Sequence, residues 1–257
     1  MIPARRRAAL VVGGASGIGL ATVWALQLEG CDVVVADVNV DAATAVADEF
    51  GDGVTAMGLD VTVEQSVADV MTASAPLDVV VNCAGLSIPG AIAELELSAW
   101  RTTIDVCLTG TFLVLKHAAA AIVDGGSIIC VSSLNARQPG TGMASYCAAK
   151  AGVTMLVEVA ALELAPRGVR VNAVQPGFVD TPLTEGVGFI PGLRQDYLDN
   201  TPLGRAGTPE DVAATITFLA SDQTAWMTGA ALDIGGGSHL QRYPDVLDRV
   251  RALMAPG

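Results

Sequence analysis

The chain has 257 residues, 51% of them hydrophobic and 16% charged, which excludes a disordered or coiled-coil protein. With 14 Lys+Arg against 27 Asp+Glu the formal net charge is −13, so the basic surface that nucleic acid or anionic lipid requires is missing. Five cysteines, an odd number without a C-x-x-C pair, argue against disulfides or structural zinc and for a reducing cytoplasm; the separated His117 and His239 form no metal-ligand pattern, so no metal is expected.

Three arginines, Arg5 to Arg7, precede an uncharged stretch over 8–28 that mimics a membrane anchor. Four glycines within 13–19 suit a strand, a tight turn and a helix better than a membrane span. The pattern then predicts strands over 9–12, 32–36, 54–58, 77–81, 127–131, 169–174 and 231–234. Between them it predicts helices over 17–29, 42–49, 63–72, 97–122 (broken near Gly110), 144–164 and 209–219. Strands apolar at every position are buried on both faces, and their alternation with helices means βαβ units. The expected fold is α/β, a single-domain doubly wound parallel sheet of about seven strands with helices on both faces. Residues 181–208, rich in Pro and Gly, read as a long irregular substrate loop, and 243–257 as a weakly helical C-terminal extension that covers the substrate site or a neighbouring subunit.

Residues 12–19, VGGASGIG, stand between the first strand and the first helix. Glycines there let backbone approach a pyrophosphate, and the helix N-terminus offers free N–H groups. Asp37, 24 residues after Gly13, closes the second strand. A carboxylate there accepts from adenosine ribose hydroxyls and repels a 2′-phosphate, which favours NAD over NADP; alternatively Asp37 only opens a turn before a helix cap at Asp41. Tyr146 and Lys150 are four apart, on one helix face, where the ammonium favours the phenolate and suits the tyrosine to proton exchange. Ser133 stands at a strand end, within reach of the same place. Taken alone, Y-x-x-x-K also fits a solvated helix face.

Together these motifs resemble the short-chain dehydrogenase/reductase family over nearly the whole chain. VGGASGIG is similar to its T-G-x-x-x-G-x-G turn, VNCAG (81–85) to its N-N-A-G, and LDV (59–61) to its adenine contact. VNAVQPGFVDTP (171–182) resembles the segment beneath the nicotinamide, and TGAALDIGGG (228–237) the closing strand and turn. The resemblance implies a Rossmann-type fold, NAD as cofactor, and Ser133, Tyr146 and Lys150 as the catalytic set. It implies cofactor contacts at Gly13, Ser16, Gly17, Ile18, Gly19, Asp37, Asp60, Val61, Asn82, Ala84, Gly85, Tyr146, Lys150, Pro176, Gly177, Val179 and Thr181. It also implies a homodimer or homotetramer built through helices 97–122 and 144–164.

Two departures stand out: Val12 replaces the turn's threonine, which removes about one hydrogen bond, roughly 1 kcal/mol. Cys107 replaces an asparagine that holds a proton-relay water in the family, and Cys83 the second asparagine of N-N-A-G. The expected activity is hydride transfer between NAD(H) and a mostly apolar secondary alcohol or its ketone. The apolar residues of 183–203, Val187, Phe189, Ile190, Leu193 and Leu198 among them, either line its pocket or hold the loop down, and Ser87, Gln138 and Met143 are expected wall residues. The alternatives are a non-catalytic or weakly active NAD(H)-binding protein, favoured by Cys107, and a dihydrodiol or polyol dehydrogenase, which needs more polar walls.

Overall fold

A computed structural model describes residues 6–254. Arg5 of the basic trio and residues 255–257 of the expected extension lie outside the described residues. The strands β1 (Ala8–Val12), β2 (Asp32–Asp37), β3 (Val54–Gly58), β4 (Leu77–Asn82), β5 (Ile122–Val131), β6 (Arg170–Pro176) and β7 (Ala231–Ile234) form one sheet in the order 3-2-1-4-5-6-7. Each neighbouring pair is parallel. The chain winds outward from β1 to β3, then returns to place β4 beside β1. At that switch point the loops leaving β1 and β4 diverge and open a crevice at the strands' C-terminal ends.

Alternate strand residues feed two cores, as the twofold side-chain period requires. On one face Leu10, Val12, Val80, Ile128 and Val171 pack with the helices α3 (Glu64–Ser74), α5 (Gly110–Ala121) and α6 (Ala144–Leu164). On the other, Val11, Val33, Val35, Val81 and Ile129 pack with α1 (Gly17–Leu28), α2 (Val40–Phe50) and α8 (Pro209–Ala220). Residues 8–28, the anchor-like stretch, are therefore β1, shared between the two cores, a glycine turn, and α1, folded into the second core.

Several expected boundaries move. Asn39, not Asp41, caps α2, its side chain accepting from the Ala42 amide at 3.1 Å. The long helix over 97–122 is α4 (Leu97–Ile104), a π-helical turn over Asp105–Thr109, and α5. The irregularity thus lies near Gly110 as expected, in the five residues directly before it, and it carries Cys107. Gly110 has another reason to be glycine: a Cβ there would meet the Val61 side chain at 2.8 Å. The stretch 181–208 is not wholly irregular. It contains a 3-10 segment, Pro182–Phe189, and α7 (Leu193–Asp199). Its prolines and glycines read as breakers, yet Pro182 sits at the start of the 3-10 segment, where a missing N–H costs nothing, and Gly192 (φ +78°) enters α7 in the left-handed region. The C-terminal extension forms α9 (Val246–Met254).

Candidate active site

Two adjoining cavities occupy the crevice. The first, of about 470 Å³, is a groove over the β1–α1 turn lined by Gly13, Ser16, Gly17, Ile18, Gly19, Asp37, Asp60, Val61, Ala84, Gly85 and Thr181. The turn is held by backbone where a threonine hydroxyl is absent: the Gly13 amide donates to the Ala36 carbonyl at 2.8 Å, and the Cys83 amide to the Val12 carbonyl at 2.8 Å. Gly13 (φ +72°) lies so close to β4's exit that a Cβ would meet the Ala84 nitrogen at 2.9 Å, and one on Gly19 would sit 1.9 Å from the Gly13 carbonyl oxygen. Ser16 caps α1 without a side-chain hydrogen bond, and the first helical bond runs from Leu20 to Ser16. The amides of the first turn are thereby left for an acceptor in the groove.

Asp37 shapes the turn considered for it and also lines the groove. Its Oδ1 accepts the Asn39 amide at 3.0 Å, which shapes the turn into α2, and its Oδ2 accepts the Ala15 amide at 3.1 Å, which turns the carboxylate toward the groove. Asp60 fixes the next wall by accepting both the amide and the hydroxyl of Thr62. Among the described residues no Lys or Arg lines this groove.

The second cavity, of about 340 Å³, is walled by Ser133, Tyr146, Pro176 and Gly177 at the sheet's edge. Leu183, Val187, Ile190 and Leu193 come from the 181–208 stretch, and Tyr243, Pro244, Val246 and Val250 from the C-terminal extension. Ser87, Gln138 and Met143 line it as expected; Phe189, 74% exposed, does not, and neither do Leu198 and Leu203. The extension thus covers this chain's own cavity.

The four-residue spacing of Tyr146 and Lys150 brings the ammonium 5.6 Å from the tyrosine ring centre. The buried Lys150 Nζ donates to the Val131 carbonyl at 2.8 Å. Below it the Ser132 hydroxyl donates to the Lys150 carbonyl at 2.9 Å, which ties the end of β5 to α6. Ser133 Oγ accepts the Asn135 amide at 3.1 Å, so its own proton stays available. The space behind Gly85 holds both Lys150 Nζ and Cys107 Sγ, 3.4 and 3.7 Å from where a Cβ would lie.

Other expected contacts stand off the groove. Asn82 is buried beneath it, its amide donating to Thr111 Oγ1 at 3.0 Å and its Oδ1 accepting the Ala84 amide at 3.2 Å. Val179 is buried in the core against Gly207, and Pro176, Gly177 and Tyr146 face the second cavity. Sequence reasoning missed Asn135, Phe178, Tyr197 and Tyr243. The Tyr243 hydroxyl donates to Asn135 Oδ1 at 3.1 Å and lies 3.0 Å from that of Tyr197. Burial raises both phenols above their ordinary range, most strongly Tyr243, so both serve as neutral donors. No periodic signal marks a tyrosine brought back from a terminal extension.

The family model described as enoyl-(acyl carrier protein) reductase matches residues 13–239. A cis-4-hydroxycyclohexanecarboxylate dehydrogenase of Sinomonas cyclohexanicum is 42% identical over 90% of this chain and 96% of the relative. A 2,5-dichloro-2,5-cyclohexadiene-1,4-diol dehydrogenase of Sphingobium indicum is 38% identical over 90% and 95%. Among solved structures, a short-chain type dehydrogenase/reductase from Mycobacterium ulcerans superimposes with a TM-score of 0.92 at 35% identity, covering 96% of this chain and 94% of the other. Likeness of this extent, on a sheet whose switch point carries the glycine turn, assigns the protein: it is an oxidoreductase that belongs to the short-chain dehydrogenase/reductase family.

Proposed function

We propose that the protein is an NAD-dependent dehydrogenase or reductase for a cyclic secondary alcohol and its ketone. The observation that carries this reading is the convergence of Ser133 and Tyr146 on one cavity, with the Lys150 ammonium beside the tyrosine and the glycine-lined groove adjoining. The groove fits a dinucleotide: glycines at 13 and 19 let the turn pack close on itself and on the exit of β4, and the α1 amides await an anionic acceptor. A bound nicotinamide would take or give the hydride.

The chain supplies position and a proton. Tyr146 exchanges its phenolic proton with the substrate oxygen, and Ser133, its lone pair engaged by the Asn135 amide, donates to that oxygen and orients it. Lys150, anchored to the Val131 carbonyl, holds its positive charge beside the Tyr146 ring. In this reading Gly13, Ser16, Gly17, Ile18 and Gly19 hold the pyrophosphate, Asp37 the adenosine ribose, and Asp60 and Val61 the adenine. Ala84, Gly85, Pro176, Gly177 and Thr181 frame the nicotinamide half, with Asn82 supporting it from beneath and Val179 only backing the wall from the core. Asp37, in a groove lined by no basic side chain among the described residues, favours NAD over NADP.

A ring-borne hydroxyl is supported by the mainly apolar walls and by two relatives named for hydroxyls on six-membered rings. The polar walls that a diol requires are present at Asn135, Gln138, Asn200 and Tyr243, which keeps a second polar substituent within the reading. The chain 1–257 acts as one oxidoreductase domain, with 181–208 and the described part of the C-terminal extension, 243–254, closing the substrate site. Exposed Phe112 on α5, and Met155 and Leu162 on α6, support a homodimer or homotetramer through those helices, and five free thiols support a cytoplasmic site of action.

The test is NADH formation from NAD⁺ and a panel of cyclohexanols, diols and hydroxysteroids, with NADH binding measured on the same preparation. Turnover that Tyr146→Phe abolishes while NADH still binds is the expected result. Tight NADH binding without turnover of any alcohol would overturn it in favour of a non-catalytic binder.

A further inference from the structure

Among the described residues Arg242 is the one charged side chain on the lining of the substrate cavity, whose walls are otherwise mainly apolar. Among the described residues the other basic side chains are engaged in hydrogen bonds or ion pairs, with the exception of Arg101. Arg101 belongs to α4 and does not line the cavity. Arg242 is therefore a guanidinium without a hydrogen-bonded or ion-paired partner among the described residues, in a chain of net charge −13; it acts on the Asp245 carboxylate only through space. Of the three acids that line a surface cavity with it, Asp196, Asp245 and Asp248, two are held mainly by other groups. Asp245 accepts the Thr141 hydroxyl at 2.6 Å and the Asp248 amide at 3.1 Å, and Asp196 is held by Arg249 through two bonds of 2.6 and 2.8 Å.

The backbone that carries Arg242 is fixed on both sides. Gln138 Nε2 donates to the Gln241 carbonyl and, at 3.3 Å, to that of Ser238. Tyr243 is bonded to Asn135 and Tyr197, and packs so tightly on Gly140 that a Cβ there would lie 2.6 Å from its ring. Arg242 is exposed at the mouth, whereas Ser133 is buried at the floor. Ser133, Tyr146 and Arg242 line one cavity of about 340 Å³, at the small end of ligand sites, about 300–1,000 Å³, so one ligand can meet all three.

We infer that the substrate is a hydroxy acid whose carboxylate is bound by Arg242 while its hydroxyl lies on Ser133 and Tyr146. The planar guanidinium matches a carboxylate with two parallel hydrogen bonds, and a fixed backbone lowers the ordering cost of forming them. It also offsets, at the one place that matters, the repulsion an acidic protein exerts on an anion. The inference rests on the reading of this cavity as the substrate site.

The test separates the two. Cyclohexanecarboxylate and cyclohexanecarboxamide, which carry no hydroxyl to oxidise, are titrated calorimetrically into the NADH-saturated protein and into its Arg242→Gln and Arg242→Lys variants. The wild type should prefer the carboxylate by about tenfold or more, the strength of a charge-assisted pair. Arg242→Gln should bring that ratio to about one, and Arg242→Lys should restore part of it. A wild type without preference, or a preference that survives Arg242→Gln, would overturn the inference even if neutral alcohols are turned over. Carboxylate preference with no alcohol oxidised would instead uphold the anion site and overturn the dehydrogenase reading.

Discussion

Cys107 and Leu86 are bonded twice. The Leu86 amide donates to the Cys107 sulfur at 3.4 Å, and the thiol donates to the Leu86 carbonyl at 3.2 Å. The buried thiol thus spends its one donor on the strand exit that leads from Gly85, next to Lys150. A carboxamide would make the same pair, its oxygen accepting from the amide and its nitrogen donating to the carbonyl, with one N–H to spare for water. Cys107→Asn should therefore fold, keep its NADH affinity within about twofold, and raise the turnover number several-fold. Steady-state kinetics beside fluorescence titration of NADH decide it; an unchanged turnover with intact binding would show that no proton leaves by this route.

Asp37 joins two backbone turns to the groove, and removing it has two separable effects. Asp37→Ser deletes the carboxylate that a 2′-phosphate would meet, so the preference for NAD over NADP should fall by about tenfold, the equivalent of ~1.4 kcal/mol. It also loosens the Ala15 and Asn39 amides, so NAD itself should bind more weakly. Asp37→Asn keeps an acceptor without the charge and should narrow the NAD/NADP gap with a smaller loss of NAD affinity. Measuring kcat/KM for both dinucleotides in both variants separates charge from turn geometry.

What the sequence made legible follows from how local the signal is. The strands read correctly because Val33 and Val34 or Val79 to Val81 are apolar on consecutive positions, a pattern that only a two-sided sheet buries. Tyr146 and Lys150 were legible because four residues is one helix turn, and Asp37 because it ends a strand beside a glycine turn. The π-helical turn at Asp105–Thr109 left no such mark of its own: its apolar pattern is that of an ordinary helix, and Gly110, which gave its neighbourhood, answers to Val61. Asn135, Tyr197 and Tyr243 meet across separations of 46 and 108 residues, which no local pattern encodes. Arg242 was invisible for the complementary reason, since its significance lies in the partners the fold gives to other charges and withholds from it.

The glycines of the crevice differ in what they permit. A methyl on Gly19 would lie 1.9 Å from the Gly13 carbonyl oxygen, whereas one on Gly186 meets nothing within 4 Å. Gly19→Ala must push the β1–α1 turn out of shape, and overpacking of this kind costs about 1–3 kcal/mol. It should lower the melting temperature and abolish the stabilisation that added NADH gives. Gly186→Ala should leave the melting temperature and the NADH-induced shift unchanged. Thermal denaturation of both variants with and without NADH checks the pair; an equal NADH shift in wild type and Gly19→Ala would refute the close approach.

The start of α8 makes a prediction about pH. Asp211 accepts the Thr208 amide at 2.8 Å, Thr208 caps the helix by accepting the Asp211 amide at 3.3 Å, and Arg205 holds the carboxylate through bonds of 2.6 and 3.0 Å. Arg205 first, then the Thr208 amide, brings the Asp211 carboxyl down from 3.8 to about 2. A folded-state value below the unfolded one means that stability is fully present above the ordinary carboxylate range and is lost as pH falls through it toward 2. Asp211→Asn weakens the capping pair and removes the ion pair, which on this exposed helix end should cost about 0.5–1 kcal/mol. The difference in unfolding free energy between wild type and variant should be constant above about pH 5, as linkage requires, and shrink as the solution is acidified. Urea unfolding followed by circular dichroism at several pH values measures it. A difference that persists unchanged at the lowest pH where both proteins fold would mean that the hydrogen-bonded cap, and not the charge on Asp211, holds the helix start.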